Sequence, residues 1–124
     1  MAKGYRQGRI GEEIRKIISD LLLSGLKDPA LDSMISITAV EVSGDNSYAT
    51  VYFSKLNLTG SEEEQEEKKK ELTEAFRRAS GFIRKTVGEN MKLRHVPELR
   101  FRYDTSEEYG RHIEELLSSI DIQK

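Results

Sequence analysis

A chain of 124 residues has the size of one folded domain, and the absence of cysteine excludes both a disulfide framework and a thiolate metal site. The net charge of −2 argues against a uniformly basic surface, and the longest apolar run, Leu21 to Leu23, is too short to cross a bilayer. No apolar stretch follows Met1-Ala2-Lys3 to act as an export signal, so a reducing, cytoplasmic setting without membrane partners is expected.

From Gln7 to Ser24, residues Ile10, Ile14, Ile17, Ile18, Leu21 and Leu22 recur at the spacing of one helical stripe. Glu12 and Glu13 sit near the start, where the helix dipole favours acids, and Gly25 marks the end. Lys27-Asp28-Pro29 cannot continue the helix. From Met34 to Ser43 the period changes. Ile35, Ile37 and Ala39 alternate while Val40 and Val42 compete for the buried face, which predicts a strand covered on one side. Ser43-Gly44-Asp45-Asn46 turns the chain into a second β-prone run, Tyr48 to Ser54, so an antiparallel hairpin is expected.

Ser61 and Glu64 have capping-box spacing ahead of a helix reaching Ala79, with Leu72, Ala75, Phe76 and Ala79 on its apolar side. A second helical pattern continues through Phe82, Ile83, Thr86, Val87 and Asn90, so two helices or one sharply bent helix are expected to meet at Gly81. Pro97 to Tyr103 alternates apolar and charged residues with the period of a half-buried strand. Thr105 and Glu108 then open a last helix with the stripe Tyr109, Ile113, Leu116, Leu117 and Ile120. The expected order is α-β-β-α-α-β-α in the α+β class. It forms a three-stranded mixed sheet with helices on one face, the first two strands antiparallel and the second and third made parallel by a helical crossover.

The net charge conceals a segregation. Arg77 to Arg102 holds eight Lys or Arg against Glu89 and Glu98, whereas Ser61 to Glu71 holds six Glu against three Lys. The acidic stretch is expected to be a solvated helix face, on which reversal of Lys68 and Lys69 changes little. Catalytic chemistry finds no support: His95 and His112 are the two histidines, and neither falls in a nucleophile motif. Asp28, Asp32 and Asp45 are scattered on loops without a metal-binding pattern, and no phosphate-cradling glycine loop is present. A non-enzymatic chain without cofactor, metal or small-molecule substrate is expected.

A strand, two helices joined at a glycine and a further strand, with a strand and helix ahead of them, resemble a KH domain of the type with an N-terminal extension. Several motifs sharpen that outline: Arg9-Ile10-Gly11-Glu12-Glu13-Ile14, Leu26-Lys27-Asp28-Pro29, Ile37 to Ser43, Ala49 to Ser54, Phe82-Ile83-Arg84, Leu93 to Phe101 and Asp104-Thr105-Ser106. In this order, from about Arg6 to Leu117, they resemble the bacterial ribosome-binding factor A family. That family carries an Ala-x-Gly interhelical kink where KH domains carry GxxG, and Ala79-Ser80-Gly81 matches it. Ala30 departs from the Arg that commonly follows the Asp-Pro pair.

The resemblance implies one KH-like domain over 1–124, with an ordered core of about 6–118, that binds the small ribosomal subunit and its ribosomal RNA. It further implies assistance in late maturation, including rRNA processing and cold adaptation. The RNA contacts expected around the kink are Arg77, Arg78, Ala79, Ser80, Gly81, Arg84 and Lys85, because Arg and Lys there can reach a phosphate backbone without reading sequence. Arg94, Arg100 and Arg102 are the second group. A bend at Gly81 is expected to place Arg78 and Arg84 on either side of one concave surface. The rival reading is a protein-protein adaptor without RNA contact, and the lack of a sustained heptad seam predicts a monomer.

Overall fold

A computed structural model describes residues 2–56, 58–93 and 95–105. The first element is helix α1 (Ala2–Ser24), which begins before the expected Gln7. Ile14, Ile18 and Leu22, spaced four apart, give it one fully buried stripe. It stops where predicted: Gly25 adopts φ +98° and donates its N–H to the Leu21 carbonyl at 3.0 Å, a left-handed cap that glycine adopts without strain. Asp28 then organises the connector, accepting from the Ala30 N–H at 3.1 Å, and Leu31 drops into the core.

Strands β1 (Ile35–Val42) and β2 (Tyr48–Lys55) form the expected antiparallel hairpin. Its turn is held by Asp45, whose carboxylate accepts from the Ser43 hydroxyl at 2.8 Å, the Ser47 hydroxyl at 2.7 Å and the Ser47 N–H at 3.0 Å. These donors stabilise the ionised form and lower its pKa to about 2. Asn46 takes φ +60°, which asparagine tolerates better than most residues.

The competition within β1 is resolved by a register shift between Ile37 and Ala39. Thr38 is the extra residue, so the core-facing phase moves from Ile35 and Ile37 to Val40 and Val42, all four of which pack into the core. α1 crosses β1 at this level, so closely that a Cβ on Gly11 would lie 2.5 Å from the Val40 carbonyl oxygen.

Helix α2 (Glu62–Asn90) opens with the predicted capping box: the Ser61 hydroxyl accepts from the Glu64 N–H at 3.1 Å and donates to the Glu64 carboxylate at 3.3 Å. It is continuous through Ala79-Ser80-Gly81. Of the two forms expected there, two helices or one bent helix, the chain forms one helix, in which Ile83 and Val87 extend the buried stripe of Leu72 and Phe76 past Gly81. Strand β3 (Glu98–Tyr103) pairs parallel with β2, giving the sheet order β1-β2-β3. Among the described residues the order is therefore α-β-β-α-β in the α+β, KH-like class. The helix expected after Thr105 lies outside them.

Both helices bury their stripes against the sheet face made by Ile35, Ile37, Ala49, Val51, Phe53 and Leu99. Aromatic rings join the layers. Phe76 lies 4.6 Å from Phe53 and stacks on Phe101 at 4.8 Å, while Phe53 meets the edge of Tyr103 at 5.3 Å. One charged residue joins this layer: Lys69 is 9% exposed, its ammonium 4.8 Å above the Tyr103 ring and 3.3 Å from Glu66. Lys68 and Lys70 fit the expected solvated face better; Lys69 does not.

Candidate nucleic-acid interface

The basic residues of α2 divide between two sides of the helix because of their spacing. Thr73, Arg77, Ser80, Gly81 and Arg84 recur at three, four and seven residues and share the side turned toward β3. With Glu98, Leu99, Arg100 and Phe101 they line a cleft of about 470 Å³ between helix and strand. Three guanidinium groups therefore meet one cleft, from Arg77, Arg84 and Arg100.

Each is held differently. Arg77 is 78% exposed and, among the described residues, pairs with Glu74 alone, at 3.6 Å, a surface contact that leaves its charge available. Arg84 donates from Nη2 and Nε to the Val96 carbonyl at 2.7 and 3.3 Å, which fixes the guanidinium against the segment leading into β3. Arg has five N–H donors, so this fork leaves donors for a partner. Arg100 lies 4.0 Å above the Tyr48 ring and 3.7 Å from Glu98.

Arg78 lies elsewhere. Its Nη2 donates to the Asp28 carboxylate at 2.9 Å, tying α2 to the connector after α1. That pair, after the Ala30 N–H, lowers the Asp28 pKa. Arg78 and Arg84 therefore do not flank one concave surface; Arg77 and Arg84 do. Lys85 is exposed beyond the cleft and Arg102 is exposed on β3, each without an ion pair or hydrogen bond among the described residues. Arg94 lies outside the described residues.

The kink residues are also sorted. Ala79 is half-buried against the core, and the Ser80 hydroxyl donates to the Arg77 carbonyl at 2.8 Å. Gly81 is exposed, and a Cβ built on it would meet nothing within 4 Å. Packing therefore does not require glycine here. What glycine leaves is bare helix backbone between Arg77 and Arg84, open to the close approach of another chain. Sequence reasoning missed Tyr48 and Thr73, which reach the site by tertiary contacts, and Phe82, which is 57% exposed although it falls in the apolar pattern.

Comparison with known proteins gives consistent results. The profile described as ribosome-binding factor A matches residues 6–117. The ribosome-binding factor A of Clostridium beijerinckii is 47% identical over 116 residues, spanning 94% of this chain and 93% of its own. A solution structure of a Thermotoga maritima protein assigned to the same factor superposes with a TM-score of 0.64 at 37% identity, covering 80% of this chain and 87% of that one. A homology model of the Thermus thermophilus factor, fitted into a cryo-EM map of its complex with the 30S subunit, shares the fold with a TM-score of 0.56 at 20% identity, covering 77% and 91% of the two chains.

Proposed function

The chain belongs to the ribosome-binding factor A family, and on that premise we propose that it binds the small ribosomal subunit through ribosomal RNA and assists its late maturation in the cytoplasm. The finer tasks in this reading are support of rRNA processing and of growth in the cold. It acts as a monomeric, non-catalytic binding factor.

The observation that carries the reading is Gly81. Glycine inside a helix costs about 1 kcal/mol relative to alanine, and among the described residues nothing stands within 4 Å of where its Cβ would lie. Bare backbone lies there between two guanidinium groups, a surface suited to a phosphate backbone, which needs close approach and positive charge but no base reading. Arg77, Arg84 and Lys85 make the phosphate contacts, with Ala79 and Ser80 shaping the approach. Arg100 closes the cleft, Arg102 extends it along β3, and Arg94 adds charge before that strand. Arg78 contributes through its hold on the connector.

The T. thermophilus complex makes the 30S particle the natural partner to test. The experiment is co-sedimentation of the purified chain with free small subunits, free large subunits and assembled ribosomes over a range of salt. Association with free small subunits alone, weakening steeply as salt rises, is the expected outcome. Binding that ignores salt would replace phosphate contact with apolar docking on protein.

A further inference from the structure

The sheet has a second face that neither α1 nor α2 covers. The register assigns it: Tyr48 beside Glu98; Glu41, Thr50 and Arg100 in one row; Ala39, Tyr52 and Arg102 in the next. Ala39 and Thr50 are short; Tyr48, Arg100 and Arg102 are exposed on this face and Tyr52 is half-buried. Tyr48 and Tyr52 lie four residues apart on β2, a separation of roughly 13 Å along the strand.

We propose that this open face is a second RNA-contact surface, which takes single-stranded bases by stacking on Tyr52 and on the Arg100–Tyr48 pair. The proposal rests on the RNA-binding reading above but adds Tyr48 and Tyr52, sharing with it Arg100, which sits where cleft and face meet, and Arg102 on the same strand. The Arg100 guanidinium lies over Tyr48, its central carbon 4.0 Å from the ring centre, and the side chain is 56% exposed. A base can stack on the outer side of such a guanidinium as it does on an aromatic ring. Arg102 has no ion pair or hydrogen bond among the described residues and stands beside Tyr52, ready for the phosphate next to a stacked base.

The chemistry selects single strands. Paired RNA keeps its bases stacked inside the helix and offers only phosphates and hydroxyls, whereas an unpaired segment presents a ring face at every nucleotide. A docking protein would need a broad apolar patch, and this face alternates rings with short polar residues and charges. Glu41 and Glu98 oppose a purely electrostatic attraction, which leaves stacking as the main source of affinity.

The test uses the full chain, with a short fluorescein-labelled oligouridylate and a blunt-ended RNA duplex as probes and circular dichroism on every variant. Tyr52→Leu and Tyr48→Leu should each weaken oligouridylate binding about fivefold or more, the lower end of what one stacked base contributes. Tyr52→Phe, which keeps the ring, should bind like the parent, and duplex affinity should be unchanged throughout. Leu variants that bind oligouridylate like the parent, a Phe variant as weak as the Leu variant, or a parent that ignores oligouridylate would each overturn the proposal. Co-sedimentation of the parent with small subunits, run in parallel, reports separately on the function proposed above.

Discussion

At the scale of single residues, two positions show how a side chain, or its absence, divides between folding and binding. Gly81 is a cost to α2 that nothing in the fold recovers. Gly81→Ala should therefore stabilise the chain by about 0.5–1 kcal/mol in chemical denaturation while weakening attachment to small subunits. If binding is unchanged, the glycine is a plain imperfection of the helix. Asp45 has the opposite character. Its pKa in the fold, about 2, lies below the ordinary 3.8 because three donors favour the carboxylate. A lowered folded value means the stabilisation is fully present above the ordinary value and is lost as pH falls through about 2. The Ser47 amide resonance should accordingly titrate near pH 2. A midpoint at the ordinary value would show that the turn does not form as described.

At the scale of elements, legibility followed the range of the interaction. The Ser61–Glu64 cap, the Gly25 stop and the alternation of β3 are local and could be read directly from spacing. The bulge in β1 was visible only as an ambiguity, since Ala39, Val40 and Val42 cannot all face the core from a regular strand. Its resolution depends on pairing with β2, which no local pattern contains. Gly11 was one letter in a motif until α1 was seen to cross the Val40 carbonyl. Gly11→Ala should lift α1 from β1 and destabilise the chain by about 1–3 kcal/mol, measurable by denaturant titration. A variant as stable as its parent would mean that the two elements do not touch there. Lys69 stands three residues before Leu72 and seven before Phe76, on the buried stripe of α2, where the Tyr103 ring covers it, whereas its neighbours Lys68 and Lys70 fall off that stripe.

At the scale of the whole molecule, a chain of net charge −2 presents a local basic surface because the acids of α2 collect in its first half while Arg77 and Arg84 in its second half face β3. The segregation was legible in sequence; the membership of the cleft was not. Arg78 and Arg84 seemed equivalent in spacing from Gly81, yet one spends its charge on Asp28 and the other on the Val96 carbonyl. Arg100 joined the cleft through the parallel pairing of β3 with β2, which only the crossover creates.

These contacts set the choice of variant. Reversal of Arg84 would disturb its hold on Val96, and reversal of Lys69 would bury an acid beside Tyr103, so neither separates binding from folding. Arg77→Glu with Lys85→Glu changes exposed charge and breaks one surface pair, Arg77 with Glu74, and Lys68→Glu with Lys70→Glu, which breaks the surface pair of Lys68 with Glu71, is the matched control on the acidic half of the same helix. The decisive measurement is co-sedimentation of the two double variants with free small subunits at fixed low salt. The prediction is at least a tenfold loss of affinity for the Arg77 and Lys85 variant and less than a twofold change for the control, since phosphate contacts are lost in only one of them. Equal binding by the two variants would contradict the placement of the RNA surface between α2 and β3.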